Sequence, residues 1–220
     1  MAHVVITGAN RGIGLELARL FSQRGDKVTA ICRRASDELQ QLNVTVLTDI
    51  DISQDACVEQ IRQALAGQTI DILINNAGLL HHETLPSPNW DTMRAQFEIN
   101  TLGPLRVTSA LLENLHKGAK VGLITSRMGS VEDNSSGAYY GYRMSKAGLN
   151  AIGKSLALDL KSRGVAVALL HPGYVITDMT GHSGDITPDV SAKGLAARID
   201  ELTLENSGKF WHSNGELLPW

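Results

Sequence analysis

The chain has 220 residues, of which 43% are hydrophobic and 20% charged, which suits one domain with a sizeable core and excludes a mostly disordered chain. Its 20 basic and 23 acidic residues leave a net charge of -3, so we expect it to bind neither nucleic acid nor an anionic membrane surface. The first residues show no export signal, no apolar run is long enough to span a bilayer, and the cysteines lack metal-ligand spacing. These features predict a cytoplasmic protein.

Short runs rich in Val, Ile and Leu alternate along the chain with segments of helical spacing. The runs predict strands at His3–Thr7, Lys27–Cys32, Val44–Thr48, Asp71–Ile74, Lys120–Thr125 and Val165–Leu170. The other segments predict helices at Gly12–Arg24, Gln54–Ala66, Trp90–His116 with a break near Asn100–Gly103, Tyr139–Arg163 and Val190–Glu205. This alternation indicates an α/β fold with a parallel sheet, whose ligands bind at the carboxyl ends of the strands.

A glycine-rich loop follows the first predicted strand. Its sequence, TGANRGIG from Thr7 to Gly14, leads directly into the first predicted helix. Glycines allow a tight turn and a close approach of the backbone to a pyrophosphate, whose charge the free N–H groups of the helix then meet. The loop therefore predicts a dinucleotide site, and the alternative is a strand-to-helix turn without a ligand.

Further motifs follow the predicted strands in order. With the GxxxGxG spacing, Asn75-Asn76-Ala77-Gly78 after the fourth strand and Tyr142-x-x-x-Lys146 in a helix resemble the short-chain dehydrogenase/reductase family. The likeness covers nearly the whole chain and extends to Asp51-Ile52, Asn100, Ser126 and Pro172-Gly173. The block YRMSKAGLNAIGKSLALDL and the ending GELLPW are most similar to the small carbonyl-reductase-like branch, which includes sniffer-type reductases and C-factor proteins.

The resemblance implies a single-domain Rossmann fold, a doubly wound parallel sheet of about seven strands, with the cofactor and substrate sites both within residues 1–220. It implies reduction of an aldehyde or ketone with a nicotinamide dinucleotide, and a catalytic tetrad of Asn100, Ser126, Tyr142 and Lys146. Together with the glycine-rich loop and the end of the second strand, the expected cofactor-binding residues are Gly8, Asn10, Arg11, Gly12, Ile13, Gly14, Cys32, Arg33, Asp51, Ile52, Asn76, Ala77, Gly78, Tyr142, Lys146, Pro172, Gly173, Val175 and Thr177.

The residue types of this tetrad suit carbonyl reduction. Hydride transfer leaves negative charge on the carbonyl oxygen, so a proton donor is needed there, and a phenol can serve. Tyr142 and Lys146 are spaced i and i+4 on one helical face, where an ammonium lowers the phenol pKa and can reach the ribose hydroxyls. Ser126 can bind the substrate oxygen, and Asn100 can hold a water that relays protons. Taken singly, these residues also fit a packing tyrosine, a strand-end turn and a helix cap.

Tyr139 and Tyr140 are rival proton donors, but neither has a lysine at i+4. Between Ser126 and Tyr142 lie extra residues, Glu132–Gly137, which we expect to form a loop at the rim of the pocket.

The end of the second strand predicts the cofactor preference. An NAD site usually places a carboxylate there, whereas this chain has Cys32, Arg33 and Arg34, and Arg11 lies in the glycine-rich loop. We therefore expect NADP(H) to be preferred over NAD(H). Apolar residues on more than one face of two long helical segments, Thr101–His116 and Tyr139–Leu160, predict a homodimer or homotetramer. The alternative function is a dinucleotide-binding signalling protein of C-factor type with little or no turnover.

Overall fold

A seven-stranded parallel sheet organises the chain, in a computed structural model that describes residues 1–220. The strands are β1 (His3–Thr7), β2 (Lys27–Ile31), β3 (Thr45–Leu47), β4 (Ile70–Asn75), β5 (Leu115–Ile124), β6 (Ala166–His171) and β7 (Phe210–His212). Their order is β3-β2-β1-β4-β5-β6-β7, and every neighbouring pair is parallel. This is the doubly wound Rossmann sheet in a single domain, which confirms the predicted fold class.

Helices cover both faces of the sheet. They are α1 (Gly12–Gln23), α2 (Asp37–Gln40), α3 (Cys57–Ala64), α4 (Trp90–Phe97), α5 (Gly103–Ala110), α6 (Tyr140–Asp159) and α7 (Pro188–Asp200), and a π-helical turn at Glu98–Leu102 joins α4 to α5. None of them combines the length and the apolar character that crossing a membrane requires.

The core has two layers because successive strand residues point to opposite faces. On one face, Val4 and Ile6 of β1 pack with apolar residues of α1 and α7. On the other, Val5 packs with residues of α3, α5 and α6, such as Leu149. All five residues of β1 are buried, as expected for a central strand of a sheet covered on both sides.

The sheet order reverses direction between β1 and β4. The chain runs outward from β1 to β2 and β3, then returns to place β4 on the other side of β1. The loops after β1 and β4 therefore separate to opposite faces and leave a crevice at the carboxyl edge. The glycine-rich loop follows β1 and the Asn76–Gly78 segment follows β4, so both predicted motifs lie at this crevice.

The end of α5 and the start of β5 differ from the prediction because of local apolar spacing. The helix predicted to reach His116 ends at Ala110, and β5 already begins at Leu115, so that part of the prediction was wrong. Leu111 and Leu115 are both buried, and their i, i+4 spacing is shared by a helix and by a buried turn entering a strand. The predicted break near Asn100–Gly103 is confirmed as the π-helical turn. The short α2 and β7 were not predicted individually.

Candidate active site

The glycine-rich loop forms a cradle that leaves no room for side chains. Gly8 has φ +66, and a Cβ there would lie 2.7 Å from the Cα of Ala77. A Cβ on Gly14 would collide with the Gly8 oxygen and the Asn76 amide. Helix α1 begins after Arg11 without a side-chain cap and has no acidic residue in its first turn. Its free N–H groups and positive end are thus available to an anion, and the loop fits a dinucleotide pyrophosphate.

Asn76 and Thr7 hold this cradle in place. The Asn76 side-chain nitrogen donates to the main-chain oxygens of Thr7 and Gly8, both at 3.1 Å. The Thr7 hydroxyl accepts from the backbone nitrogens of Asn76 at 3.0 Å and Ala77 at 3.1 Å. Thr7 was not among the predicted site residues, although its position directly before Gly8 was the available signal. These bonds fix the loop after β4 against the loop after β1.

The predicted adenosine-binding residues lie at the same edge, after β2 and β3. Cys32 is buried and Arg33 is exposed, and the Cys32 oxygen accepts from the backbone nitrogen of Ile50 at 3.4 Å. Asp51 is partly exposed and accepts a backbone hydrogen bond from its own turn, whereas Ile52 is buried. The backbone hydrogen bond between Ile50 and Cys32 thus connects the ends of β2 and β3, which were predicted to contact the cofactor.

Arg11 makes an ion pair across the cradle. Its guanidinium lies 3.0 Å from a carboxylate oxygen of Asp178, and both side chains are more than half exposed. Thr177 lies above the cradle as well, because a Cβ on Gly12 would be 3.5 Å from its methyl group. The segment from Pro172 through Gly173 and the buried Val175 to Thr177 therefore leads from β6 to the glycine-rich loop.

Ser126 and Tyr142 come together from β5 and α6. Ser126 lies two residues after the end of β5, is buried, and accepts from the Met128 backbone nitrogen at 3.1 Å. Tyr142 is buried in the first turn of α6. Burial raises the pKa of Tyr142 to about 12, and hydrogen bonding with the Ser126 side chain opposes this rise. The phenol thus keeps its proton at neutral pH beside a second hydroxyl.

Lys146 lies one helical turn after Tyr142 and is also buried. Its Nζ donates to the main-chain oxygen of Ile124 at 2.8 Å, and burial lowers its pKa to about 7. The expected influence of its ammonium on the tyrosine is not visible here, because burial is the largest influence on the Tyr142 pKa and Ser126 is the only opposing one.

Asn100 occupies the π-helical turn, where the predicted helix break placed it. Its side chain accepts from the Leu79 backbone nitrogen at 2.7 Å and donates to the Leu79 oxygen at 2.7 Å and to the Ser145 hydroxyl at 2.9 Å. A Cβ on Gly78 would lie 3.4 Å from Asn100 Oδ1 and 3.7 Å from Lys146 Nζ. The four predicted tetrad residues therefore meet around one point of the crevice.

Sequence reasoning missed Ser145, which connects two of these elements. The Ser145 hydroxyl accepts from Asn100 and donates to the main-chain oxygen of Tyr142 at 2.8 Å. The main-chain oxygen of Ser145 accepts from the Thr101 hydroxyl at 2.7 Å. A small polar residue directly before the lysine of a Tyr-x-x-x-Lys motif was the only signal in the sequence. Ser145 ties the π-helical turn to the helix that carries Tyr142 and Lys146.

The residues between Ser126 and Tyr142 form an exposed loop, here called the rim loop, at Glu132–Gly137. At one end, the backbone nitrogens of Val131 and Glu132 donate to the main-chain oxygen of Trp220, both at 2.9 Å. At the other, the Arg143 guanidinium donates to the Gly137 oxygen at 3.2 Å and to the Ser136 hydroxyl at 2.8 Å. The loop is thus exposed along its length but held at both ends.

Comparison with known proteins identifies relatives over the whole chain. The family model described as short chain dehydrogenase matches residues 2–186. The 1-hydroxy-2-glutathionyl-2-methyl-3-butene dehydrogenase of Rhodococcus sp. (strain AD45) is 42% identical over 226 residues, covering 100% of both chains. The C-signal protein of Myxococcus xanthus is 45% identical over 154 residues, which are 69% of this chain and 93% of that protein.

Solved structures of carbonyl reductases share the complete fold. The carbonyl reductase Sniffer of D. melanogaster superposes with a TM-score of 0.90 at 28% identity and covers 100% of both chains. An NADPH-bound carbonyl reductase from chicken fatty liver superposes with a TM-score of 0.88 at 28% identity, covering 100% of this chain and 99% of that one. These likenesses agree with the branch to which the sequence motifs pointed.

Proposed function

Because the chain belongs to the short-chain dehydrogenase/reductase family, a family of oxidoreductases, we propose that it reduces an aldehyde or ketone to an alcohol with NADPH as the hydride donor. The observation that carries this proposal is the meeting of Ser126, Tyr142, Lys146 and Asn100 beside Gly78, at the edge of the sheet where the glycine-rich cradle opens. Both sites would then lie within one domain, residues 1–220.

The cradle supports a dinucleotide in this crevice. The uncapped start of α1 can bind the pyrophosphate, and Lys146 lies where an amine can donate to ribose hydroxyls. Gly8, Asn10, Gly12, Ile13 and Gly14 would shape the cradle on one side, with Asn76, Ala77 and Gly78 across from them. When bound, the reduced nicotinamide supplies the hydride.

Tyr142 would act as the general acid. Since burial raises its pKa to about 12, the phenol is protonated at neutral pH and can donate to the oxygen that gains charge during reduction. The Ser126 hydroxyl would hold that oxygen in place and stabilise its developing charge. Asn100 would hold the water that relays protons, and its side chain would also hold Leu79 and Ser145, and through Ser145 the helix that carries Tyr142.

The preference for NADPH is supported by the charges near β2. Arg33 is exposed just after the strand, and positions 32–34 carry no acidic residue, although the backbone nitrogen of Asp49 from the neighbouring strand end donates to the Arg33 oxygen at 3.2 Å. Arg11 lies in the cradle and is paired only with an exposed carboxylate, a contact that contributes little and can be exchanged for a phosphate. The chicken carbonyl reductase with the same fold contains NADPH.

The test is a panel of aldehydes, ketones and quinones followed by NADPH absorbance, with Tyr142→Phe as the inactive control. The panel should include a glutathionyl-substituted alcohol in the oxidative direction, because the name of the Rhodococcus relative describes such a compound. Two buried free thiols, Cys32 and Cys57, suit a reducing compartment, and we place the reaction in the cytoplasm.

A second candidate follows from the relation to the C-signal protein, which is 45% identical over 154 residues. In that case the chain would bind the dinucleotide as a signalling protein with little or no turnover. Tight NADPH binding without reduction of any carbonyl in the panel would favour this alternative.

A further inference from the structure

A buried carboxylate, Glu83, lies where the loop after β4 meets the start of α6. The residue is 1% exposed. Its Oε1 accepts from the Thr92 hydroxyl at 2.8 Å and from the Gln96 side-chain nitrogen at 2.7 Å, and its Oε2 accepts from the Gly141 backbone nitrogen at 3.3 Å. All three partners are donors and none is charged. Two of the three are N–H groups that cannot accept, one at each carboxylate oxygen, so the position suits a side chain with two acceptor oxygens.

Helix α6 has no cap of its own. Tyr139, which precedes it, has φ 53, makes no side-chain cap hydrogen bond, and follows Ala138 with φ 50. Left-handed conformations at residues other than glycine cost about 1 kcal/mol or more each, so the surrounding structure must hold them. The main-chain oxygen of Glu83 accepts from the Tyr139 nitrogen at 2.9 Å, and its carboxylate accepts from Gly141. Glu83 thus supplies, from outside the helix, the negative cap that the 20-residue α6 lacks.

The same contact joins α4 to α6 closely. A Cβ on Gly141 would lie 2.9 Å from the Cα of Met93 and 2.5 Å from the Gln96 side-chain nitrogen. The Gln96 oxygen in turn accepts from the His81 backbone nitrogen at 2.9 Å. Glu83 and Gln96 therefore form one buried polar unit between the loop after β4 and both helices.

Tyr142 directly follows Gly141, whose backbone nitrogen donates to Glu83. The buried unit of Glu83 and Gln96 therefore holds the residue just before Tyr142. Three residues further on, Ser145 is held by Asn100. The hydrogen bonds at Gly141 and at Ser145 thus lie on either side of Tyr142 near the start of α6. Loss of either one would let the phenol move relative to Ser126.

We propose that Glu83 is a positioning residue, which fixes the first turn of α6 and thereby the Tyr142 hydroxyl. This inference rests on the proposed role of Tyr142 as the general acid. A misplacement of about 1 Å is enough to cost on the order of a hundredfold in rate, so a loosened helix start should reduce turnover far more than cofactor binding.

The first variant is Glu83→Gln, which keeps the shape of the side chain but makes one of its two acceptors a donor. In either amide orientation, the NH2 group faces an N–H donor that cannot accept, either the Gly141 backbone nitrogen or the Gln96 side-chain nitrogen. We expect kcat to fall about tenfold to a hundredfold. The Kd for NADPH should change by less than about twofold, and amide hydrogen exchange should quicken at the start of α6.

A double variant, Glu83→Gln with Gln96→Glu, restores a complementary hydrogen bond between these two side chains, although it gives up the bond that the Gln96 side-chain nitrogen donates to the Thr92 main-chain oxygen at 3.2 Å. The new amide can accept from Gly141 and donate to the new carboxylate, which can also accept from His81. Thr92 retains its hydrogen bond to the Asn89 oxygen at 3.1 Å. We expect kcat to rise at least about threefold above that of Glu83→Gln without reaching wild type, a recovery that mere loss of stability would not produce. Asp91→Asn, an exposed change at the start of α4, is the matched control and should leave kcat unchanged.

Unchanged kcat in Glu83→Gln would overturn the proposal. So would a parallel loss of kcat, cofactor affinity and thermal stability that the double variant does not restore. If wild type reduces no carbonyl, the proposed reaction is wrong, and hydrogen exchange still decides the role of Glu83 as a cap. If amide hydrogen exchange at the start of α6 is as slow in Glu83→Gln as in wild type, the role of Glu83 as a cap would be overturned.

Discussion

The side-chain nitrogen of Lys146 lies 5.7 Å from the centroid of the Tyr142 ring. Burial raises the pKa of the tyrosine to about 12 and lowers that of the lysine to about 7. Burial therefore favours the neutral form of both groups, a phenol that keeps its proton and an amine that can lose one. Carbonyl reduction at neutral pH requires the phenol to be protonated, because it donates its proton to the carbonyl oxygen.

Tyr142→Phe should fold, bind NADPH and lose carbonyl reduction by about a hundredfold to ten-thousandfold, because it removes only the hydroxyl that donates the proton. The comparison is kcat for wild type and variant on one carbonyl, with cofactor affinity measured by fluorescence. Tyr139→Phe and Tyr140→Phe serve as controls and should retain substantial activity. Equal turnover by Tyr142→Phe and wild type would show that the tetrad assignment is wrong.

Lys146→Met should weaken cofactor binding and turnover together and remove a pH dependence of the stability. The lowered pKa means that, between about pH 7 and 10.5, the unfolded chain holds a proton that the folded chain lacks. The stability of wild type should therefore rise with pH across this window, and the variant should lose that slope. Cofactor titration and chemical denaturation measure the two effects, and a variant that binds NADPH as wild type does would contradict the assignment.

The sequence predicted the central elements because their patterns are local. Strand β1 was predicted with its observed bounds, His3–Thr7, since its apolar run is bounded by the glycine-rich loop. The tetrad assignment came from the resemblance of the motifs to the family, and the structure shows that its four residues lie close together. The contact of Glu83 with Gly141 could not be predicted, since 58 residues separate them and nothing near Glu83 indicates burial. The three-residue β7 is too short for periodicity to reveal.

Arg33→Ala should weaken NADPH binding by about tenfold to a hundredfold and leave NADH binding nearly unchanged, because a charge-assisted hydrogen bond to the extra phosphate contributes about 1.5–3 kcal/mol. Arg34→Ala, at the next exposed position, is the matched control. Titration of wild type with both cofactors gives the baseline. Equal affinities of wild type for NADPH and NADH would refute the predicted preference.

The partly buried position of His171 should make the stability of the fold sensitive to acid. Burial lowers its pKa from 6.5 to about 3, and its Nδ1 has no hydrogen-bond partner. The unfolded chain takes up a proton near pH 6.5 that the folded chain does not take up until about pH 3. The contribution of this group to stability is therefore present above pH 6.5 and is lost as the pH falls toward 3.

Denaturant unfolding near neutral pH and at about pH 5 measures this loss, which amounts to about 1.4 kcal/mol per pH unit for one proton. His171→Asn should show a flatter dependence than wild type, whereas His81→Asn, at an exposed position, should match wild type. Identical slopes in wild type and His171→Asn would exclude His171 as the cause.

Self-association is expected from apolar side chains left exposed on α5 and α6. Leu105 is 37% exposed, Met144 49% and Leu158 65%. Pairing of such helices across a two-fold axis would bury them, and we expect a homodimer or homotetramer. Light scattering at micromolar concentration measures the mass, and a monomer would contradict the expectation. Leu158→Lys should shift the equilibrium toward smaller species.

The rim loop offers a place to alter substrate choice by protein engineering. One end is held by the Trp220 oxygen and by the ion pair of Asp133 with Arg127 at 3.0 Å, and the other end by Arg143, whereas Asn134 and Ser135 between them are exposed to solvent. Sequence exchanged between these anchors would leave the strands, the cradle and the tetrad untouched. A library that randomises Asn134 and Ser135 while keeping Asp133, Ser136, Gly137 and Arg143 should therefore yield folded enzymes with altered selectivity, so that chemistry and selectivity can be varied separately in this chain.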